Sequence, residues 1–149
     1  MTTTKLHLLI ADDDTDDCIF YREILDDLPL AHTLAIVRDG VELMYLLTKE
    51  TGQLPSVIFL DLNMPRKTGY ECLLEIKSSE RLKHIPVIII STSFDHDTVN
   101  LLYEKGADHY IRKPAAFSNL KHTIHKAISL ASVCYKKQPG KENFIISVQ

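Results

Sequence analysis

The chain predicts an α/β fold: a five-stranded parallel sheet in the order 2-1-3-4-5, doubly wound by five helices. Three observations carry this prediction. Short apolar runs alternate five times with longer segments of helical period. The runs Val57-Ile58-Phe59-Leu60 and Val87-Ile88-Ile89-Ile90 contain no polar residue, as strands buried on both faces do. The 149 residues are enough for one domain with a full core and too few for two ordinary ones.

Leu6 to Ala11 reads as the first strand and ends in Asp12-Asp13-Asp14. Thr15 to Leu28 reads as a helix. Asp14 or Thr15 can cap it, and Asp16 and Asp17 suit the positive end of its dipole. Phe20, Ile24 and Leu28, with Tyr21 and Leu25, give it an apolar face. Thr33 to Val37 is a short second strand. Asp39-Gly40 then turns the chain into a helix from Val41 to Lys49, with Leu43, Met44, Leu46 and Leu47 as its buried side and Gly52 suited to its end.

The third strand, Val57 to Leu60, runs into Asp61 and a turn holding Pro65 and Gly69. Gly69 to Ser79 is helical, with Tyr70, Leu73 and Leu74 toward the core. Val87 to Ile90, β-branched throughout, is the fourth strand and ends in Ser91-Thr92-Ser93. Asp97 to Lys105 is a helix stopped by Gly106, and Ala107 to Arg112 is the fifth strand, stopped by Lys113-Pro114. Phe117 to Cys134 is the last helix, with Phe117, Leu120, Ile124, Ala127, Ile128 and Ala131 on one side. Residues 5–135 therefore make one domain. Residues 136–149 read as a linker-like tail whose apolar stretch, Phe144 to Val148, is too short for an output domain and should pack on its own domain or on a second copy.

Composition excludes several classes. A net charge of -3 gives no global basic field for nucleic acid. No apolar stretch has the length of a membrane span, and the first residues do not form a signal peptide, so the cytoplasm is expected. Cys18, Cys72 and Cys134 are odd in number and form no CxxC pair, which favours plain thiols.

The chemistry gathers at strand ends. In the order 2-1-3-4-5 the switch point lies between the first and third strands, so the acids after strand one should face Asp61. Asp12, Asp13 and Asp61 would repel one another, and a hard divalent cation such as Mg²⁺ removes the conflict. Ser91 brings a hydroxyl after strand four and Lys113 an ammonium after strand five. Such groups around a carboxylate stabilise a transferring phosphoryl group, and a carboxylate can itself be the nucleophile. Each piece alone has a plain explanation as a turn, a cap or a strand stop. Their coincidence at the ends of four strands of one sheet does not.

These pieces, in this order, resemble the receiver domain of two-component response regulators: Leu8 to Asp14, Asp61-Leu62-Asn63-Met64-Pro65 with Gly69, Pro86-Val87 leading to Ser91, Gly106-Ala107 and Lys113-Pro114. The resemblance spans Lys5 to Cys134 and points to the small receivers that partner bacterial phytochrome kinases. It implies a flavodoxin-like receiver fold and a set of roles. Asp61 is the phosphoacceptor. Asp13 is a direct Mg²⁺ ligand, Asp12 a ligand through water, and Asn63 gives its backbone carbonyl. Ser91 matches the switch hydroxyl, Lys113 matches the lysine that pairs with the phosphoryl group, and Lys113-Pro114 matches a peptide that is usually cis. Tyr110 is the aromatic that turns inward from solvent when Ser91 moves. Thr92 is bulkier than the usual residue there and should narrow access.

The expected function is thus a stand-alone response regulator taking a phosphoryl group from a sensor histidine kinase or phosphotransfer protein. Partner contact is expected through the face of helix four, strand five and helix five, near Leu101, Leu102, Lys105, His109 and Lys121. A homodimer is a further expectation. Three alternatives stand beside it: an aspartate-dependent phosphohydrolase, disfavoured by Asn63 where a second acid would sit; an FMN binder, disfavoured by the acidic first loop; and a docking module indifferent to phosphorylation. His122 and His125 read as surface residues.

Overall fold

The structure, a computed structural model, describes residues 5–49, 53–114, 119–133 and 138–146. Five strands form one parallel sheet in the order β2-β1-β3-β4-β5, as expected. They are β1 (Leu6–Ala11), β2 (His32–Val37), β3 (Val57–Leu60), β4 (Val87–Ser91) and β5 (His109–Arg112). The helices are α1 (Thr15–Asp26), α2 (Gly40–Thr48), α3 (Gly69–Ser78), α4 (His96–Glu104) and α5 (Leu120–Val133). Alternation along each strand divides the core. Leu8, Ile10, Phe59, Ile88, Ile90 and Ile111 pack with α1 and α5. Leu9, Ala11, Ile58, Leu60, Ile89 and Tyr110 pack with α2, α3 and α4.

The helix starts follow cap chemistry. Asp14, Asp39 and Asp95 each accept a backbone N–H three residues on, at the heads of α1, α2 and α4. Thr68 and Glu71 form a reciprocal capping box at α3. Gly69 is required by close approach: its N–H donates to the Leu62 carbonyl at 2.9 Å, and a Cβ would run into the Asp61 carbonyl. Gly106, at φ +101°, ends α4 in the left-handed region.

Several expected core positions are corrected. Phe20 is exposed, because α1 buries Cys18, Tyr21, Ile24 and Leu25 instead. Leu46 is exposed on α2, and Leu74 is only half-buried on α3, where Cys72, Leu73 and Ile76 face inward. β5 begins at His109 rather than Ala107, since the Ala107 N–H bonds back to Leu102 at the end of α4. Gly52, Phe117 and Cys134 lie outside the described residues. Cys18 and Cys72 are buried free thiols. His122 is exposed as expected, but His125 is half-buried and its Nε2 lies 3.0 Å from the Ile24 carbonyl.

Residues 138–146 pack on the domain. A single 3-10 turn, Lys141–Asn143, delivers Phe144 and Ile146 into the core. Ile145 pairs with Tyr110 in a parallel bridge beyond β5. The Tyr110 N–H donates to Phe144 O and the Ile146 N–H to Tyr110 O, both at 3.0 Å. Tyr103 of α4 donates its hydroxyl to Pro139 O at 2.9 Å. The tail therefore pairs the open edge of β5 and crosses the face expected to meet partners. Of the residues expected there, Leu102 and His109 are buried, whereas Leu101 and Lys105 are exposed. Lys121 points to the other side, where it pairs with Asp27 after α1 at 2.6 Å.

Candidate functional site

The acidic crevice lies where the connections of β1 and β3 leave the sheet in opposite directions. The Asp61 N–H donates to Ala11 O at 3.0 Å, and the Asp12 N–H to Val37 O at 3.0 Å, so both acids continue the ladder for one residue beyond the strands. Carboxylate oxygens of Asp12, Asp13 and Asp61 all lie within 4.8 Å of one another. Asp12 and Asp61 are buried and Asp13 is exposed, which leaves the cluster open to solvent on one side. Asn63, two residues after Asp61, is exposed in the same loop.

Lys113, immediately after β5, reaches into this cluster. Its ammonium lies 2.9 Å from Asp12 Oδ2, 2.8 Å from Asp17 Oδ2 and 3.7 Å from Asp61 Oδ1. Burial pulls its pKa down, but the hydrogen bond to Asp17 and the charges of Asp61 and Asp12 outweigh this, and the net direction is up. Asp61 is raised as well, which for a carboxylic acid disfavours the charged form. Burial first, then the charges of Asp12 and Asp13, push its pKa up to about 7 against the opposing pull of Lys113. Asp17 is also raised, by burial, although Lys113 opposes the shift. Lys113 thus compensates only part of the negative charge of the crevice.

Ser91 is fully buried at the end of β4, and its Oγ accepts the Ser93 N–H at 3.2 Å. The Tyr110 ring is fully buried and its hydroxyl donates to Ser93 O. Tyr110 therefore already lies inward, and the expected solvent-facing position is not the one found. Phe94 and Phe144 hold the ring, with centroids 6.2 and 6.3 Å away. Thr92 is exposed. Among the described residues no peptide bond is cis, so Lys113-Pro114 does not have the expected isomer. The two isomers of an X–Pro bond lie close in energy, and the trans one leaves Lys113 within reach of the site.

The structure brings Asp12, Asp13, Asp61 and Lys113 together, and Ser91 ends β4 at the same end of the sheet. Three further residues were not anticipated. Asp17 bonds Lys113, the Tyr21 hydroxyl donates to Asp12 Oδ2 at 3.1 Å, and Arg38 donates to Asp13 O and Thr15 Oγ1, both at 2.8 Å. A signal existed for two of them. Asp13, Asp17 and Tyr21 are spaced by four, so Asp17 and Tyr21 stand on the face of α1 that follows Asp13.

Residues 8–125 match the sequence profile described as the response regulator receiver domain. Response regulator Rcp1 of Synechocystis sp. is 36% identical over 117 residues, covering 76% of this chain and 80% of that protein. The probable methanogenesis regulatory protein FilR2 of Methanothrix harundinacea is 33% identical over 122 residues, covering 80% and 79% of the two chains. Among solved structures, the phosphorylated cyanobacterial phytochrome response regulator RcpA superposes with a TM-score of 0.80 at 34% identity, over 92% of this chain and 100% of that one. The Mn²⁺-bound form of Rcp1 gives a TM-score of 0.77 at 31% identity, over 91% and 99%.

Proposed function

The chain belongs to the response regulator receiver domain family, and from that premise we propose that Asp61 accepts a phosphoryl group from a phosphohistidine on a sensor histidine kinase or phosphotransfer protein. The observation that supports this most directly is the convergence of Asp12, Asp13 and Asp61 within 4.8 Å, with the Lys113 ammonium 3.7 Å from Asp61. In the transfer an Asp61 oxygen forms the bond to phosphorus. The phosphorus–nitrogen bond breaks, and its electron pair stays with the imidazole. The product is a signalling state of the protein rather than a metabolite, and we place this work in the cytoplasm beside the kinase.

The donor set fits a divalent cation. It consists of hard carboxylate oxygens, two buried and one exposed, in surplus over the one lysine that pairs with them. Asp12, Asp13 and Asp61 would hold it, with the Asn63 carbonyl. We propose Mg²⁺, for which such a partly open carboxylate site is suited, and the Mn²⁺-bound form of Rcp1 shows that a divalent ion binds a relative. When bound, the ion supplies positive charge to the transferring oxygens and keeps Asp61 ionised. The residues of the chain do the rest. Lys113 donates to a phosphoryl oxygen, and the Ser91 hydroxyl turns inward to donate to another. Turning gives up the bond from Ser93 N–H, and Ser93 O is the acceptor of the Tyr110 hydroxyl. A movement at Ser91 therefore reaches Tyr110 through one residue, and from there the α4, β5 and tail surface.

The test is incubation with acetyl phosphate and Mg²⁺, followed by intact mass. The mass of one added phosphoryl group is expected, absent in Asp61→Asn. Labelling that persists in Asp61→Asn would overturn the assignment. Sustained release of phosphate from a small ester over many turnovers would point to a phosphohydrolase instead.

A further inference from the structure

The phosphoacceptor reading uses Asp61, the metal-facing acids, Ser91 and Lys113, and leaves Asp17 without a role. Asp17 lies in the first turn of α1, one helical turn beyond Asp13. Its carboxylate makes the shortest contact of the Lys113 ammonium, at 2.8 Å, and both side chains are largely buried. Two acids thus share the same lysine, Asp12 after β1 and Asp17 on the helix.

An ammonium has three N–H donors. Asp12 and Asp17 take two, and Asp61 at 3.7 Å is beyond hydrogen-bond length. The third donor is left for an acceptor nearer than the present Asp61 oxygen, which a phosphoryl group on Asp61 would provide. Asp12 is also a candidate metal ligand, so its hold on Lys113 weakens whenever a cation draws its oxygens away. Asp17 is not among the clustered carboxylates that could hold the ion.

We propose that Asp17 is a positioning residue that fixes the Lys113 ammonium as a ready donor to the phosphoryl group, independently of the metal. This rests on the phosphoacceptor reading and adds to it the residue that orients its lysine. The alternative is that Asp17 acts only as a nearby negative charge. The two differ in sign. Removing a bare charge beside an anion-binding site strengthens anion binding, whereas releasing the lysine weakens it.

The test measures the affinity of the full chain for beryllofluoride, a phosphoryl stand-in, at saturating Mg²⁺, read from amide chemical shifts. Asp17→Ala should bind about 5-fold more weakly than the unaltered chain, the loss of one oriented charge-assisted hydrogen bond. Asp17→Asn, which keeps shape and an acceptor oxygen, should fall between them and serves if the alanine variant folds poorly. In a Lys113→Ala background, titrated over a higher concentration range, Asp17→Ala should leave affinity unchanged or tighter. The Lys113 ammonium hydrogens should also exchange with water faster in the Asp17 variants. Equal or tighter binding by Asp17→Ala in the otherwise unaltered chain would overturn the proposal. So would the same loss with and without Lys113. No binding by the unaltered chain would instead overturn the phosphoacceptor reading, and this inference with it.

Discussion

Asp61 is a buried acid whose nearest companions are mostly other acids, and this has a consequence that pH can read. Its folded pKa lies near 7 and its model-peptide value at 3.8, so between them the folded, metal-free protein binds more protons than the unfolded chain. Stability from this group is therefore complete below about pH 4 and is lost as pH rises toward 7. Asp61→Asn should stabilise the metal-free protein at pH 8, on the order of 2 kcal/mol, and have little effect at pH 4. Chemical denaturation at the two pH values, with chelator, checks this. Equal effects at both would show that Asp61 is not strained by its neighbours. Mg²⁺ should reverse the sign by stabilising the unaltered chain through binding. Asp13→Asn should lose most of that gain, as measured by the Mg²⁺-dependent rise in melting temperature. A second residue-scale expectation concerns Gly69, where a Cβ would meet the Asp61 backbone carbonyl. Gly69→Ala should cost roughly 2 kcal/mol or more and displace the loop that carries Asp61. Most of these residues were legible because each directly follows an apolar run, where a charge or hydroxyl stands out. Asp17 was not, because an acid in the first turn of a helix already has a sufficient reason to be there. Only the approach of Lys113, 96 positions away, separates the two reasons.

At the scale of elements, the strands were legible and the helix faces less so. A strand buried on both sides tolerates little but apolar residues, so β3 and β4 announce themselves. An amphipathic helix offers several readings of its stripe. On α1 the buried face passes through Cys18 and Tyr21, and Phe20 falls outside it. On α3 the small Cys72 is inside because Gly40 approaches it, the thiol donating to Gly40 O at 3.6 Å. The connection from β4 to α4 is the element through which the proposed switch would act. Ser91, Ser93 and Tyr110 form a chain of contacts that starts at the crevice and ends under α4. Ser91→Ala should leave phosphorylation of Asp61 possible but uncouple it from this connection. Phosphorylated Ser91→Ala should lack the amide shifts that the unaltered chain shows at Ser93, Tyr110 and Phe94. If the full set of distant shifts survives, the coupling runs by another route.

At the scale of the whole molecule, the sequence separates a domain from a tail, and the structure joins them. Apolar residues near the end predict that the tail packs somewhere, but not where, since a strand edge has no sequence mark and is known only once the sheet order places β5 outermost. Phe144 and Ile146 are buried there, and the Phe144 ring packs against Tyr103 at 5.1 Å and Tyr110 at 6.3 Å. Gln138 donates to the Tyr103 and Ala107 carbonyls, both at 2.6 Å, and fixes where the segment enters. Phe144→Ala should therefore cost about 3 kcal/mol, as for a core aromatic and unlike a residue of a loose end. Removing residues 138–149 does more than this. It strips the partners from both the N–H and the C=O of Tyr110, exposes its ring and leaves the outer edge of β5 unpaired. An unpaired edge beside a newly exposed aromatic patch recruits another strand. The truncated protein should melt at a lower temperature and self-associate with increasing concentration, seen by light scattering, while Phe144→Ala alone should stay in the parent's association state. If the truncated chain keeps both the parent's melting temperature and its association state, the tail does not close the sheet. The response of Tyr110 would then have to be explained by the crevice side alone.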